Sequence, residues 1–420
     1  MRRLILLGML GTLALPVSAT KRVTVAQLER ILANASQAHR TDENTVRIFG
    51  DLELTEQLDN AARARMDTSL HLGPKTTLAL QLLADQSAFL DPPASEQPTA
   101  AIPDPVTQQR ILNAARAYAA QTLASLPDLI ATRSSFRFDN SEQVLGENEW
   151  PVRAGLHLVG SSTHEVTMRN SHDPPDPEQK PGASAASFQR AQPETGLQLS
   201  GEFGAPLPLI LVDINKGKMS FSHWEQTPAG SLAVYRYSVP RSASHYTVDY
   251  CCIADKVGAV LQRGRRGGGA PPPTTLQDDP ANHFRKSPAY HGSLAIDPVS
   301  GAILRITIQA ELDIDGPVTR ADILVEYGPV MIGDRKFICP VRSLALTQGL
   351  AGTNATLGIP PDMQINEASF TNYHRLGSSI RIIPESAVVV PPTPEEQNPS
   401  ARRSPTQVPQ PSVPPSTHDN

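Results

Sequence analysis

Residues 293–309 read SLAIDPVSGAILRITIQ, and this stretch decides the fold class of the chain. After the Asp-Pro-x-x-Gly turn at 297–301, the apolar residues Leu304, Ile306 and Ile308 alternate with polar ones. Alternation with a period of two is typical of an antiparallel strand that has one buried face and one solvated face. Two such runs around a tight turn predict a β-hairpin.

Further short strands follow this hairpin. We predict them, with a turn at 333–334, at residues 323–327, 337–338, 342–346 and 368–373. Their close spacing requires antiparallel connections, because parallel strands need crossovers of about a dozen residues or more. The sequence therefore predicts an antiparallel β domain at 130–383, built as a half-barrel or an open sheet.

The N-terminal side of the chain has a different composition and period. Only Phe49, Phe89 and Tyr118 of the aromatic residues precede residue 130, and Ala and Leu are frequent there, which favours helices over strands. Apolar side chains at helical spacing predict four amphipathic helices, at 25–35, 52–66, 76–83 and 105–126. Thr24 and Asp104 are the expected N-caps of the first and the last. We predict a small helical domain at 23–127 and an α+β fold.

The N-terminus has the features of a secretory signal peptide. Arg2 and Arg3 precede an apolar run at 4–15, and a small-residue site follows at 17–19. This pattern predicts cleavage after residues 1–19 and export to the periplasm or the cell exterior. No other apolar run reaches the roughly 20 residues that a membrane-spanning helix needs, so we expect no transmembrane span.

Proline-rich stretches interrupt and end the β region. Residues 171–193, which contain five prolines, and residues 262–282, which contain a run of arginine, glycine and proline, are expected to be mobile surface insertions. The tail at 384–420 has many prolines and no aromatic residue, so it cannot bury enough apolar surface to offset the entropy lost on ordering. We expect it to be disordered.

Charge and motifs argue against several classes of function. The formal net charge of −5 argues against nucleic acid as a partner, and the basic run at 263–266 opens into a Gly/Pro-rich loop. The chain has no dinucleotide-binding fingerprint, phosphate-binding loop or His-Glu-x-x-His metal motif. We therefore expect neither a cofactor nor a metal ion.

Three cysteines, Cys251, Cys252 and Cys339, offer several pairings. Export implies an oxidising compartment, so we predict a disulfide from Cys339 to Cys251 or Cys252, which would join the two halves of the β region. Two alternatives stay open. One is a bridge between the adjacent Cys251 and Cys252, and the other is three buried, unpaired thiols that pack as small hydrophobic groups.

Two short segments contain side chains of the kinds used in catalysis. Residues 222–225 read SHWE, a nucleophile, a base and a carboxylate, but alternation along a strand predicts Ser222 and His223 on opposite faces. His245 and Asp249 share a strand face, and such a pair can orient a catalytic imidazole or a metal ligand. The alternatives are a strand edge for the first segment and a surface pair for the second.

Several segments resemble an uncharacterised family of exported bacterial proteins. They lie at 201–204, 222–225, 234–237, 244–248, 295–298, 325–330 and 339–340. The resemblance implies export but assigns no activity and no catalytic residue. In the C-terminal half, the Asp-Pro-x-x-Gly turn and the closing strand at 366–373 resemble those of periplasmic lipoprotein-carrier half-barrels. That resemblance implies an incomplete antiparallel barrel whose concave side holds acyl chains.

These observations support three hypotheses for function. The first is a non-enzymatic exported protein that binds a lipid, another apolar ligand or an envelope protein partner through a β half-barrel. The second is a secreted hydrolase that uses the neighbourhood of His245 and Asp249, and the third is a structural surface protein tethered by its tail. A roomy apolar pocket would favour the first. A polar cleft where His223, His245 and a serine or carboxylate converge would favour the second.

Overall fold

A computed structural model describes most of the chain between residues 21 and 376. The described residues are 21–140, 143–145, 151–153, 155–168, 196–197, 206–228, 230–251, 283–349 and 362–376. All of them belong to one compact unit that ends at Leu376. The predicted signal peptide, both proline-rich insertions and the tail lie outside these residues and stay predictions. No described helix is long and apolar enough to cross a membrane.

The described residues include six α-helices, five of them in the N-terminal part. They are α1 (Val25–Gln37), α2 (Asp42–Val46), α3 (Asn60–Leu70), α4 (Pro74–Ser87), α5 (Pro105–Ser125) and α6 (Pro206–Asp213). The predicted start of α1 is confirmed, because Thr24 and Gln27 exchange hydrogen bonds between side chain and backbone of 3.2 and 2.9 Å. Asp104 caps α5 as predicted, accepting from the N–H groups of Val106 and Thr107.

The helix predicted at 52–66 is wrong in its first part. Leu52–Leu54 forms strand β2, which pairs in parallel with β1 (Lys21–Val23) and alternates buried and exposed side chains. Helix α3 begins only after Asp59, whose carboxylate accepts from the N–H of Ala62 at 2.6 Å. The short helices α2 and α6 were not predicted from the sequence either.

The β region is an open antiparallel sheet of nine strands among the described residues. In chain order they are β3 (Leu129–Asp139), β6 (His157–Met168), β8 (Lys218–Thr227), β9 (Gly230–Val239), β12 (Tyr290–Ile296), β13 (Ile303–Ala310), β14 (Val318–Ile332), β15 (Arg335–Gly349) and β16 (Asp362–Arg375). Their spatial order is β6-β3-β16-β15-β14-β13-β12-β9-β8, and all neighbours are antiparallel. Of the two architectures predicted, the open sheet is the one observed.

Most local predictions for this region are confirmed where the structure describes it, but the two strands predicted at 337–338 and 342–346 are parts of one strand, β15. The hairpin predicted at 293–309 forms β12 and β13, and the turn predicted at 333–334 joins β14 to β15. Short strands form two more small sheets. These strands are β4 (Gln143–Leu145), β5 (Pro151–Arg153), β7 (Gly196–Leu197), β10 (Val248–Cys251) and β11 (His283–Lys286).

The two faces of the large sheet pack against different helices. On one face, the α5 face, Ile111 of α5 shares a core with strand residues such as Tyr235. On the opposite face, the α4 face, Leu82 of α4 packs with Leu324 and Leu344. Helices α1, α3 and α4 also share a smaller core of their own. The helical region thus packs onto both sides of the sheet through different helices.

A buried cluster of charges joins α4 to the sheet. Arg342 of β15 donates through Nε to Glu367 at 2.7 Å and through Nη2 to Asp85 of α4, and its Nη1 lies 3.7 Å from Glu326. Only 3% of the Asp85 side chain is exposed. Burial raises the pKa of Asp85 to about 6, although the positive charge of Arg342 opposes the shift. The cluster therefore holds a carboxyl that titrates near neutral pH.

The raised pKa of Asp85 makes stability depend on pH. The folded state binds the proton of Asp85 more tightly than the unfolded chain, where the pKa is near 3.8. This tighter binding stabilises the folded state fully below pH 3.8, and the stabilisation is lost as the pH rises through 6. Relative to Asp85→Asn, the wild type should lose about 2 kcal/mol of unfolding free energy between about pH 4 and pH 7.5.

Urea denaturation of both proteins at the two pH values measures this loss. Glu29→Gln, on the exposed side of α1, is the control for removing a carboxylate elsewhere. Parallel pH profiles for the wild type and Asp85→Asn would contradict the expected linkage.

Candidate functional site

A cleft of about 760 Å³ lies between the α4 face and the segment 88–92 that follows α4. Strands β8, β9, β12 and β13 form its floor, and Phe89, Leu90 and Asp91 form part of its roof. The guanidinium of Arg320 lies 5.7 Å from the centre of the Phe89 ring, a cation–π contact that helps to hold the roof in place. The cleft opens where α4 ends and no longer covers the sheet.

Strand register arranges the side chains of the floor in three rows. The rows are Lys218, Ser238, His291 and Gln309; Ser220, Arg236, Ser293 and Thr307; and His223, Val234, Ala295 and Arg305. Side chains alternate between the two faces of a strand, so all three rows belong to the α4 face. Only Val234 and Ala295 are apolar in these rows. The floor is therefore polar.

Along the second row the α4 face changes from polar to apolar, whereas the third row continues from Arg305 into the charged residues Glu326 and Arg342. The second row continues from Thr307 into Leu324 of β14 and Leu344 of β15. Both leucines are buried against α4. Helix α4 thus covers the apolar end of the second row and the charged cluster at Arg342, while the polar floor beyond the helix lines a concave space. A concave space is the usual setting of a small-molecule site.

The lining of the cleft carries more positive than negative charge. Arg305 donates to Glu225 through two hydrogen bonds of 2.8 and 2.5 Å, and both side chains are largely buried. Arg236 pairs with Asp91 of the roof, and each of these side chains is more than half exposed. Lys218 lines the cleft without an ion-pair partner among the described residues. Arg236 and Lys218 are therefore the cations that a ligand can reach.

A β-bulge in β8 brings Ser222 and His223 together. Their predicted placement on opposite faces is wrong, because the register shifts between Phe221 and His223. Ser222 Oγ lies 3.0 Å from His223 Nδ1, and the buried His223 Nε2 has no hydrogen-bond partner in the described part of the chain. Burial lowers the pKa of His223, and the charge of Glu225 opposes the shift. Glu225 does not complete a triad, because it binds Arg305.

His245 pairs with Asp213 rather than with Asp249. Asp213, at the end of α6, is fully buried and accepts from the N–H of His245 at 2.9 Å, from its ring Nδ1, and from the hydroxyl of Tyr290 at 2.8 Å. Burial disfavours the carboxylate, but these hydrogen bonds outweigh it and hold the pKa of Asp213 below its ordinary value. Asp249 instead lies 3.9 Å from Arg285. The predicted pair of His245 and Asp249 is therefore wrong. His245 pairs instead with Asp213, which lies 32 residues earlier in the chain.

His223 and His245 do not converge. Tyr290, which binds Asp213, belongs to the core of the α5 face, whereas His223 lines the cleft on the α4 face. Within the described residues, no three His, Cys, Asp or Glu side chains are grouped so as to hold a metal ion. The two hydrogen bonds from His245 to Asp213 join the segment 241–247 to the end of α6.

Cys339 is a free thiol, buried near Leu129 and Phe370. Burial raises its pKa to about 12. Cys251 lies in β10, and Cys252 lies outside the described residues. Because Cys339 is free, the predicted bridge from Cys339 does not form in this structure. A free Cys339 agrees with both alternatives, the bridge between Cys251 and Cys252 and three unpaired thiols.

No family model, curated protein or solved structure matches this chain. The resemblances to exported bacterial proteins and to lipoprotein carriers therefore stay predictions.

The sequence contains a local signal for Lys218 and Arg236, which were not singled out as site residues. Polar and apolar residues alternate at 218–221 and at 235–239, as in a strand with one polar face. The same pattern is typical of a strand that simply faces water. Only the roof formed by 88–92 turns this polar face into a cleft, and no local pattern reveals a roof that lies more than a hundred residues away.

Proposed function

We propose that this chain is an exported, non-enzymatic binding protein that holds a small polar molecule in the cleft. The polar floor is the observation that carries the proposal. Its side chains provide hydroxyl, amide, imidazole and cationic groups on a rigid sheet, where strand register fixes their spacing. Binding sites for small molecules are typically concave and largely preformed, and a few well-placed polar groups orient the ligand.

The roof supplies the apolar part of such a site. Phe89 and Leu90 can pack against a ring or a short chain, while the polar groups of the ligand face the floor. A lipid or another wholly apolar ligand fits this lining less well. Its binding would remove water from Lys218, Arg236 and His291 without supplying new hydrogen-bond partners, which is unfavourable.

A hydrolase is the second candidate, and the contact between Ser222 and His223 supports it. An adjacent imidazole can activate a serine hydroxyl as a nucleophile. Here, however, the contact uses Nδ1, and no carboxylate of the described residues orients Nε2, so the third group of a triad has no counterpart. His245 adds nothing to this pair, because it lies at the opposite face. The binding function has more support.

Blocking the floor tests the proposal. We expect Ser220→Trp to abolish ligand retention, because residue 220 lines the cleft and a tryptophan there would fill it. Equilibrium dialysis of the full chain against a low-molecular-weight cell extract, followed by mass spectrometry of aqueous and organic fractions, measures what is retained.

Ser231→Trp is the matched control, since Ser231 is exposed on β9 but does not line the cleft. A polar molecule retained by the wild type and by Ser231→Trp, but not by Ser220→Trp, supports the proposal. Lipids retained with the same dependence on Ser220 would support the apolar ligand instead. No enrichment by the wild type, or equal retention by Ser220→Trp, contradicts a binding role for the cleft.

A further inference from the structure

Cations and hydroxyls alternate on the two outermost strands of the floor. Lys218 of β8 lies opposite Ser238 of β9, and Ser220 lies opposite Arg236 in the next row. The two cations therefore lie on one diagonal, and the two hydroxyls lie on the other. Side chains in directly opposite positions are about 5 Å apart at Cβ, and diagonal ones about 7–8 Å. One small group above this patch is within reach of all four side chains.

Two cations beside two hydroxyls suit an oxyanion. Guanidinium and ammonium groups donate charge-assisted hydrogen bonds to carboxylates and phosphates, which are stronger than bonds between neutral groups. Arg305 does not share this role, because its two hydrogen bonds to Glu225 already neutralise it. The reachable positive charge is thus concentrated at Lys218 and Arg236.

Asp91 shows how Arg236 meets a carboxylate. It reaches down from the roof and accepts a hydrogen bond from Nη2 of Arg236. The two side chains are 53% and 59% exposed, and ion pairs between exposed groups contribute little to stability. A competing anion can therefore displace Asp91 with little loss of stability.

We propose that Lys218, Ser220, Arg236 and Ser238 bind an oxyanion group of the ligand, a carboxylate or a phosphoryl group, and that Asp91 leaves Arg236 when they do so. This inference rests on the proposed binding function, and it specifies in addition that the ligand carries a negative charge. The roof then contributes an internal carboxylate that occupies the guanidinium of Arg236 while the cleft is empty.

Calorimetric titration of the full chain with inorganic phosphate and with succinate, both at constant ionic strength, tests the inference. We expect saturable binding of at least one anion, and which one binds separates phosphoryl from carboxylate recognition. Affinity should fall about tenfold or more in Arg236→Gln, because a charge-assisted hydrogen bond is lost. It should rise in Asp91→Asn, which removes the competing carboxylate. Lys216→Gln, an exposed lysine outside the cleft, should bind like the wild type.

Saturable binding of neither anion, or equal binding by Arg236→Gln, overturns the inference. Unchanged affinity in Asp91→Asn overturns the release of Asp91. Arg236→Lys keeps the positive charge and should retain part of the affinity that Arg236→Gln loses. Comparing the two variants therefore separates the effect of the charge from an effect of misfolding. If the cleft retains a neutral solute, and this retention depends on Ser220, the proposed binding function holds. Only the inference that the ligand carries an oxyanion group is then overturned.

Discussion

Replacing Arg342 with methionine is expected to destabilise the protein by about 3–5 kcal/mol. The change leaves the carboxylates of Asp85 and Glu367 without the cation that now binds both. The low exposure of Asp85, 3%, means that water cannot take the place of the guanidinium. Urea denaturation near neutral pH, where Asp85 is mainly charged, measures the loss of unfolding free energy.

Two further variants show whether the buried charge is the cause. Arg335→Met changes an exposed arginine of the same strand and should shift stability by no more than about 0.5 kcal/mol. Combining Arg342→Met with Asp85→Leu should recover part of the loss, because apolar packing then replaces a lone charge. A loss below about 1 kcal/mol in Arg342→Met alone would show that the cluster does not stabilise the packing of α4 on the sheet.

Gly301→Ala is expected to cost about 3 kcal/mol or more of unfolding free energy. Gly301 has φ +78°, a left-handed conformation that side chains other than glycine rarely adopt. A Cβ atom at this position would also lie 2.5 Å from the carbonyl carbon of Ala114 in α5. The backbone of α5 cannot move away from this Cβ atom as a flexible side chain could. The hairpin turn and α5 would therefore have to separate. Thermal or urea denaturation measures the effect.

Gly333→Ala is the matched control for backbone strain without a clash. Gly333 has φ +66°, but a Cβ there meets nothing within 4 Å. We expect a loss of roughly 1–2 kcal/mol, the cost of the left-handed conformation alone. Equal losses in Gly301→Ala and Gly333→Ala would mean that the contact between the turn and α5 contributes nothing.

Elements with short-range causes were predicted correctly from the sequence. The hairpin at 293–309 follows from side-chain alternation around a turn that needs a glycine, and α1 follows from the cap at Thr24. The wrong predictions concern residues whose structure depends on contacts with distant segments of the chain. Leu52–Leu54 becomes a strand because β1 pairs with it, and the bulge before His223 breaks the alternation that placed Ser222 on the other face.

The candidate site could be predicted only in fragments. His223 was a candidate from the sequence, and it lines the cleft, but its neighbours there come from four strands and from the segment after α4. Asp213 was missed because it lies 32 residues from His245, so no local spacing links the two. Arg236 meets Asp91 across 145 residues of chain. Such contacts depend on which elements pack together, which local patterns do not encode.

By itself, the sequence determined the antiparallel character of the β region, the capped helices before it and the tight turns, since each depends on neighbouring residues. The tertiary structure decided which face of the sheet α4 covers and where that cover ends after Ser87. It also decided that a polar strand face lies under Phe89 and Asp91 instead of facing water. The physical reason is that alternation fixes only which side chains share a face, whereas the environment of that face depends on packing between segments far apart in the chain.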